Sequence, residues 1–106
     1  MPIELSGATR LVPIVGDPIA QVKSPAGRSA AFAEAGRDTL VVPAHVAPAD
    51  LDTWMTGLAV TRNVDGLIVT IPHKFAVRRH CATASERAAF IGAVTVLRRN
   101  PDGSWH

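Results

Sequence analysis

Lys74 stands at the end of the run Asp65-Gly66-Leu67-Ile68-Val69-Thr70-Ile71-Pro72-His73-Lys74, and an amine placed there can donate or accept a proton. Leu67, Ile68, Val69 and Ile71 are the mostly β-branched residues of a strand buried on both faces. Pro72 cannot donate to a sheet ladder, and it suits the first position of a helix. The pattern therefore predicts a strand closed by Pro72 and a helix from Pro72 to about Cys81. Thr70, His73 and Lys74 would then stand together at the carboxyl edge of the sheet, where open α/β sheets bind ligands. A lysine in a first helical turn also opposes the helix dipole, by only about 0.3–1 kcal/mol. A solvated surface lysine is the plain alternative.

A second chemistry-bearing point is Ser24-Pro25, which reads as a serine N-cap with proline at the first helical position. Free amides at such a helix start favour an anion, and the serine hydroxyl can add a donor.

The elements that must hold these residues alternate. Leu11 to Val15 form a strand candidate closed by the Gly16-Asp17-Pro18 turn. The helix opened by Ser24 runs to Gly36, which can take the left-handed C′ geometry. Leu40 to Val46 form a second strand, placed outermost because Pro43 interrupts it. Leu51, Trp54, Met55 and Leu58 make one apolar stripe on a helix over Pro48–Leu58, with Asp50 and Asp52 in its first turn. Thr83 to Glu86 have capping-box spacing and open a helix through Phe90, ended by Gly92. Ala93 to Arg99 form a fourth strand, and Asn100-Pro101-Asp102-Gly103 starts a hairpin. This order predicts an α/β fold: a mostly parallel sheet with helices on both faces, a three-layer αβα sandwich with right-handed crossovers.

The 106 residues make one domain with an ordinary apolar fraction of 47%. The net charge of +2 and the single basic cluster Arg78-Arg79-His80 argue against a nucleic-acid surface. Cys81 is alone, and no histidine or cysteine falls at zinc-ligand spacing, so neither a disulfide framework nor a metal site is expected; the four histidines read as surface or half-buried. No signal peptide or membrane-length apolar run is present, which predicts a soluble, cytoplasmic protein. The eight glycines never fall two apart, so no Gly-x-Gly-x-x-Gly loop exists and these residues alone are not expected to bind a nicotinamide cofactor or turn over substrate. Ser104 to His106 read as too short a return strand, so the domain is expected to be truncated at its C-terminal hairpin.

Gly16-Asp17-Pro18-Ile19, Lys23-Ser24-Pro25, Val69-Thr70-Ile71-Pro72-His73-Lys74 and Ile91-Gly92-Ala93-Val94 occur in an order that resembles the N-terminal, substrate-binding domain of the shikimate dehydrogenase family. The resemblance covers nearly the whole chain. It implies a full-length oxidoreductase that reduces a ring ketone such as 3-dehydroshikimate in aromatic amino acid biosynthesis or a related pathway. Its NADP or NAD would be held by a following Rossmann domain absent from this chain. It implies Lys74 as the catalytic lysine, Thr70 as a substrate contact, and Ser24 as the second of two serines that hold the substrate carboxylate. The first of those serines is Val22 here. An asparagine expected two residues before Thr70 is Ile68, and a substrate-contacting asparagine is Thr95. The aspartate that partners the lysine would lie beyond His106. These departures leave open a paralogue acting on a related cyclic polyol acid, or a non-catalytic module that binds a cyclic hydroxy acid. A monomer or homodimer is expected.

Overall fold

The computed structural model describes residues 5–22, 24–86 and 96–106. Four strands form one sheet in the order β2-β1-β3-β4: β1 (Arg10–Gly16), β2 (Thr39–His45), β3 (Gly66–Val69) and β4 (Val96–Arg98). The first three are parallel, and β4 runs antiparallel to β3. Two α-helices are described, α1 (Ser24–Glu34) and α2 (Leu51–Ala59); the second is preceded by a 3-10 turn at Pro48–Asp50.

Period-two alternation divides the core. Leu11, Val15, Leu67, Val69 and Leu97 face the larger cluster, where Leu51, Met55 and Leu58 of α2 cover them. Val12, Ile14, Val41 and Ile68 face the other way and meet Ile19, Val22 and Phe32 of α1 and the segment before it. A sheet with apolar residues on both faces needs a layer on each side, and the expected sandwich is borne out.

β2 is an edge strand, as Pro43 predicted, and the edge is protected chemically. Pro43 offers no N–H, and the Val41 N–H is taken by the buried Ser29 hydroxyl of α1 at 2.9 Å. At the end of α1, Gly36 takes φ 76°, with the Arg37 N–H on the Phe32 carbonyl at 2.9 Å and the Gly36 N–H on Ala33 at 3.0 Å.

Two expectations need correction. No α-helix follows Pro72: residues 71–75 form turns, and a short 3-10 helix occupies Ala76–His80. Pro72 lies four residues before that helix and not at its start; the peptide bonds before Pro72 and Pro18 are both cis. The return segment 104–106 forms no strand of its own, only an isolated bridge between Arg99 and Trp105. Arg98 and His106 exchange two backbone hydrogen bonds at 2.8 and 2.9 Å, and Trp105, 4% exposed, enters the larger core cluster. Residues 87–90 of the helix expected over Thr83–Phe90 lie outside the described residues, as do residues 93–95 of the strand expected over Ala93–Arg99.

Arg99 fastens this hairpin to α2. Its guanidinium donates to the carbonyls of Thr61 at 3.0 Å, Gly103 at 3.2 Å and Leu58 at 3.3 Å, and also to that of Ala59. It lies 4.7 Å from the centroid of the Trp105 ring. The Leu58 carbonyl at the end of α2 also accepts the Thr61 N–H at 3.1 Å, and Arg99 adds a cation there, the sign that the helix dipole favours.

Candidate functional site

Because β1, β2 and β3 are parallel, Gly16, His45 and Val69 end on one edge. The chain leaves β3 into a turn closed by the His73 N–H on the Thr70 carbonyl at 3.1 Å. The Thr70 N–H still pairs with Val15 at 3.0 Å, and the Ile71 carbonyl accepts the Asp17 N–H at 3.1 Å. The turns after β1 and β3 therefore lie side by side. Gly16 permits that approach: a Cβ there would sit 2.5 Å from Cγ2 of Thr70 and 3.2 Å from the Ile71 carbonyl oxygen.

Thr70 and Lys74 are half-buried, and among the described residues neither side chain has a hydrogen-bond or ion-pair partner. A hydroxyl and an ammonium are thus left available at the sheet edge. Lys74 precedes the Ala76–His80 helix instead of lying in a first helical turn, so the dipole argument does not apply to it. Ile71 and Phe75, 71% and 68% exposed, flank this segment.

His73 does not join them. It is 1% exposed, and its Nε2 lies 2.7 Å from the Val46 carbonyl oxygen. A carbonyl only accepts, so Nε2 carries the proton. His73 fixes the lysine-bearing turn to the end of β2, and the expected surface or half-buried histidine is a core residue. The cause is topological: β3 leaves the sheet toward the α2 face, where Val77 and Cys81 continue the buried series.

Ser24 is the first residue of α1, and nothing of its side chain is described. Val22 is half-buried against the Ile14–Ile19–Val41 cluster, its N–H on the Ile19 carbonyl at 3.0 Å. Ile68 packs against the same cluster, and Thr95 lies outside the described residues. The structure thus brings Thr70 and Lys74 to the edge beside the turn that leads through Val22 to Ser24.

A hydrogen-bonded pair at the same edge carries no local sequence signal. His45 Nε2 and Asp17 Oδ1 are 2.6 Å apart, joined by the register that pairs Gly16 with His45. The two residues are far apart in the chain, and no local pattern links them. Elsewhere, Arg79 and then His80 hold the exposed Asp52 carboxyl below its ordinary range, and burial pushes the Cys81 thiol up.

The β1–α1 turn does not suit a dinucleotide. Asp17 presents a carboxylate, Pro18 has no N–H, and the Asp17 N–H is already bonded to Ile71.

The model of the shikimate dehydrogenase substrate binding domain matches residues 14–97. The chain belongs to this family. A shikimate dehydrogenase (NADP(+)) of Synechococcus sp. strain JA-2-3B'a(2-13) is 42% identical over 101 residues, covering 95% of this chain and 35% of the relative. Shikimate 5-dehydrogenase from Listeria monocytogenes, solved with shikimate and NAD, superposes with TM-score 0.89 at 26% identity, covering 99% of this chain and 36% of that one. A 5-ketofructose reductase of Gluconobacter sp. strain CHM43 superposes with TM-score 0.85 at 26% identity, over 92% of this chain and 34% of that one. The chain spans about a third of the length of these shikimate dehydrogenase family relatives. Among the described residues, no helix is long and apolar enough to cross a membrane.

Proposed function

We propose that this chain is the substrate-binding half of an NADP- or NAD-dependent shikimate- or quinate-type dehydrogenase that reduces a ring ketone such as 3-dehydroshikimate. The observation that carries the reading is the unpartnered pair Thr70 and Lys74 at the carboxyl edge of a substrate-binding domain of this family. Lys74 is the general acid–base, donating a proton to the ketone oxygen during reduction and taking it back in the reverse direction. Thr70 hydrogen-bonds a ring hydroxyl and so fixes the ketone relative to the lysine. Ser24, at the start of α1, holds the substrate carboxylate with the free amides there. Thr95 and Val22 complete the pocket. Hydride chemistry belongs to a nicotinamide cofactor held by a Rossmann domain outside these residues.

A second reading is a binding module without chemistry. Val22 and Ile68 favour it, because both pack into an apolar cluster where the family resemblance expects hydrogen-bonding groups. The same departures, together with the likeness to a protein named for 5-ketofructose, support a related keto substrate.

The test is turnover of shikimate with NADP or NAD by the full-length product of the gene. The catalytic reading expects activity, and a kcat at least ~10²-fold lower in Lys74→Ala. An unchanged kcat would remove Lys74 from the chemistry, and a full-length product that binds shikimate without turnover would establish the module.

A further inference from the structure

We propose that Asp17 and His45 form a latch that positions the substrate-facing turn, with His45 as a positioning residue; the proposal rests on the substrate-binding reading above. The hydrogen bonds within Pro18–Val22 are local, from Gln21 Nε2 to the Pro18 carbonyl at 2.9 Å and from the Val22 N–H to Ile19 at 3.0 Å. Neither links the turn to another strand. Among the described residues, its polar ties to the rest of the sheet are at Gly16 and Asp17. The Gly16 carbonyl accepts the Val46 N–H at 3.1 Å, the Asp17 N–H reaches Ile71 at 3.1 Å, and the Asp17 carboxylate meets His45 Nε2 at 2.6 Å.

Asp17 is therefore gripped from two sides, by the lysine-bearing turn through its backbone and by β2 through its side chain. His45 adjoins Val46, whose carbonyl also holds His73. One two-residue step of β2 and its exit thus ties both turns of the site together. Without the His45 contact, Asp17 keeps one backbone bond, and the residues after it are held by the burial of Ile19 and Val22 alone, with no polar tie to β2 through Asp17.

A carboxylate needs only an N–H donor, so His45→Gln should preserve the latch and His45→Ala should abolish it. The pair is exposed, His45 at 59% and Asp17 at 31% of the side chain, so its effect is modest and it carries little of the fold's stability.

The experiment uses the full-length product and reads amide hydrogen exchange and calorimetric shikimate binding. In His45→Ala, the Asp17 and Val22 amides should exchange faster at nearly unchanged Tm, and the shikimate Kd should rise about two- to fivefold. Asp17→Ala should do the same, the double variant should be no worse than either, and His45→Gln should behave as wild type. Unchanged exchange in His45→Ala overturns the latch. Faster exchange with an unchanged Kd overturns its role in substrate positioning. A wild type that binds no shikimate overturns the substrate reading instead, and the exchange measurement still decides whether the latch exists.

Discussion

The Nε2–H of His73 donates to the Val46 carbonyl across 2.7 Å, so the residue next to Lys74 points into the core and ties the exit of β3 to that of β2. His73→Ala removes a buried ring and leaves a buried carbonyl without its donor. The expected loss is about 2–4 kcal/mol, read by denaturant unfolding. A loss below about 0.5 kcal/mol would mean that the contact is not held in solution.

Gly16 sets how closely the two site turns approach. Gly16→Ala places a methyl 2.5 Å from Thr70 Cγ2, closer than carbon atoms tolerate, with backbone also at 3.2 Å. Relief requires Thr70 to rotate or the turns to separate. We expect about 1–3 kcal/mol of lost stability, together with weaker shikimate binding in calorimetry, because the displaced group is the proposed substrate contact. Retained affinity at reduced stability would place Thr70 outside the pocket.

These two residues mark where the sequence was legible and where it was not. Strand alternation, the Gly36 cap and the edge position implied by Pro43 are local signals, written within a few residues, and all are found in the fold. The helix expected from Pro72 is absent because proline suits both a first helical turn and a tight turn, and the local pattern does not separate them. His73 looked like a site residue because it adjoins Lys74 in sequence. Its inward direction depends on Val46, a partner supplied by another strand. Arg99 and the Asp17–His45 pair were invisible for the same reason: their partners are set by sheet register and chain crossing.

Arg99 satisfies carbonyls at the end of α2 and in the loop after it while stacking on Trp105, so one side chain joins the hairpin to the helix. Arg99→Ala should cost about 2 kcal/mol by chemical denaturation. Arg99→Lys should recover less than half of that, since a point-like ammonium cannot reach several carbonyls in one plane. Full rescue by lysine would show that only the charge matters.

Asp52 is held below the ordinary carboxyl range, first by Arg79 at 2.6 Å and then by His80 at 2.7 Å. A depressed carboxyl contributes stability above its unfolded pKa and loses it as pH falls through the folded value. Asp52→Asn should therefore lower Tm slightly near neutral pH, and its curve should merge with wild type as the medium is acidified below the ordinary carboxyl range and through the depressed folded value. A difference that persisted in acid would mean that Asp52 acts by packing or capping instead of by charge.

Val22 offers the sharpest probe of the pocket, because two opposing terms act on one side chain. It is half-buried against Ile14, Ile19 and Val41, so Val22→Ser forfeits about 1 kcal/mol of apolar burial and should lower Tm. If the exposed part of the residue borders the substrate carboxylate, the new hydroxyl gains a charge-assisted hydrogen bond of about 1.5–3 kcal/mol. The gain exceeds the loss and acts only in the complex. The expected outcome is a shikimate Kd tightened about tenfold or more in a less stable protein. Lower stability with unchanged affinity would show that the side chain is turned wholly into the apolar cluster and that this position does not border the carboxylate.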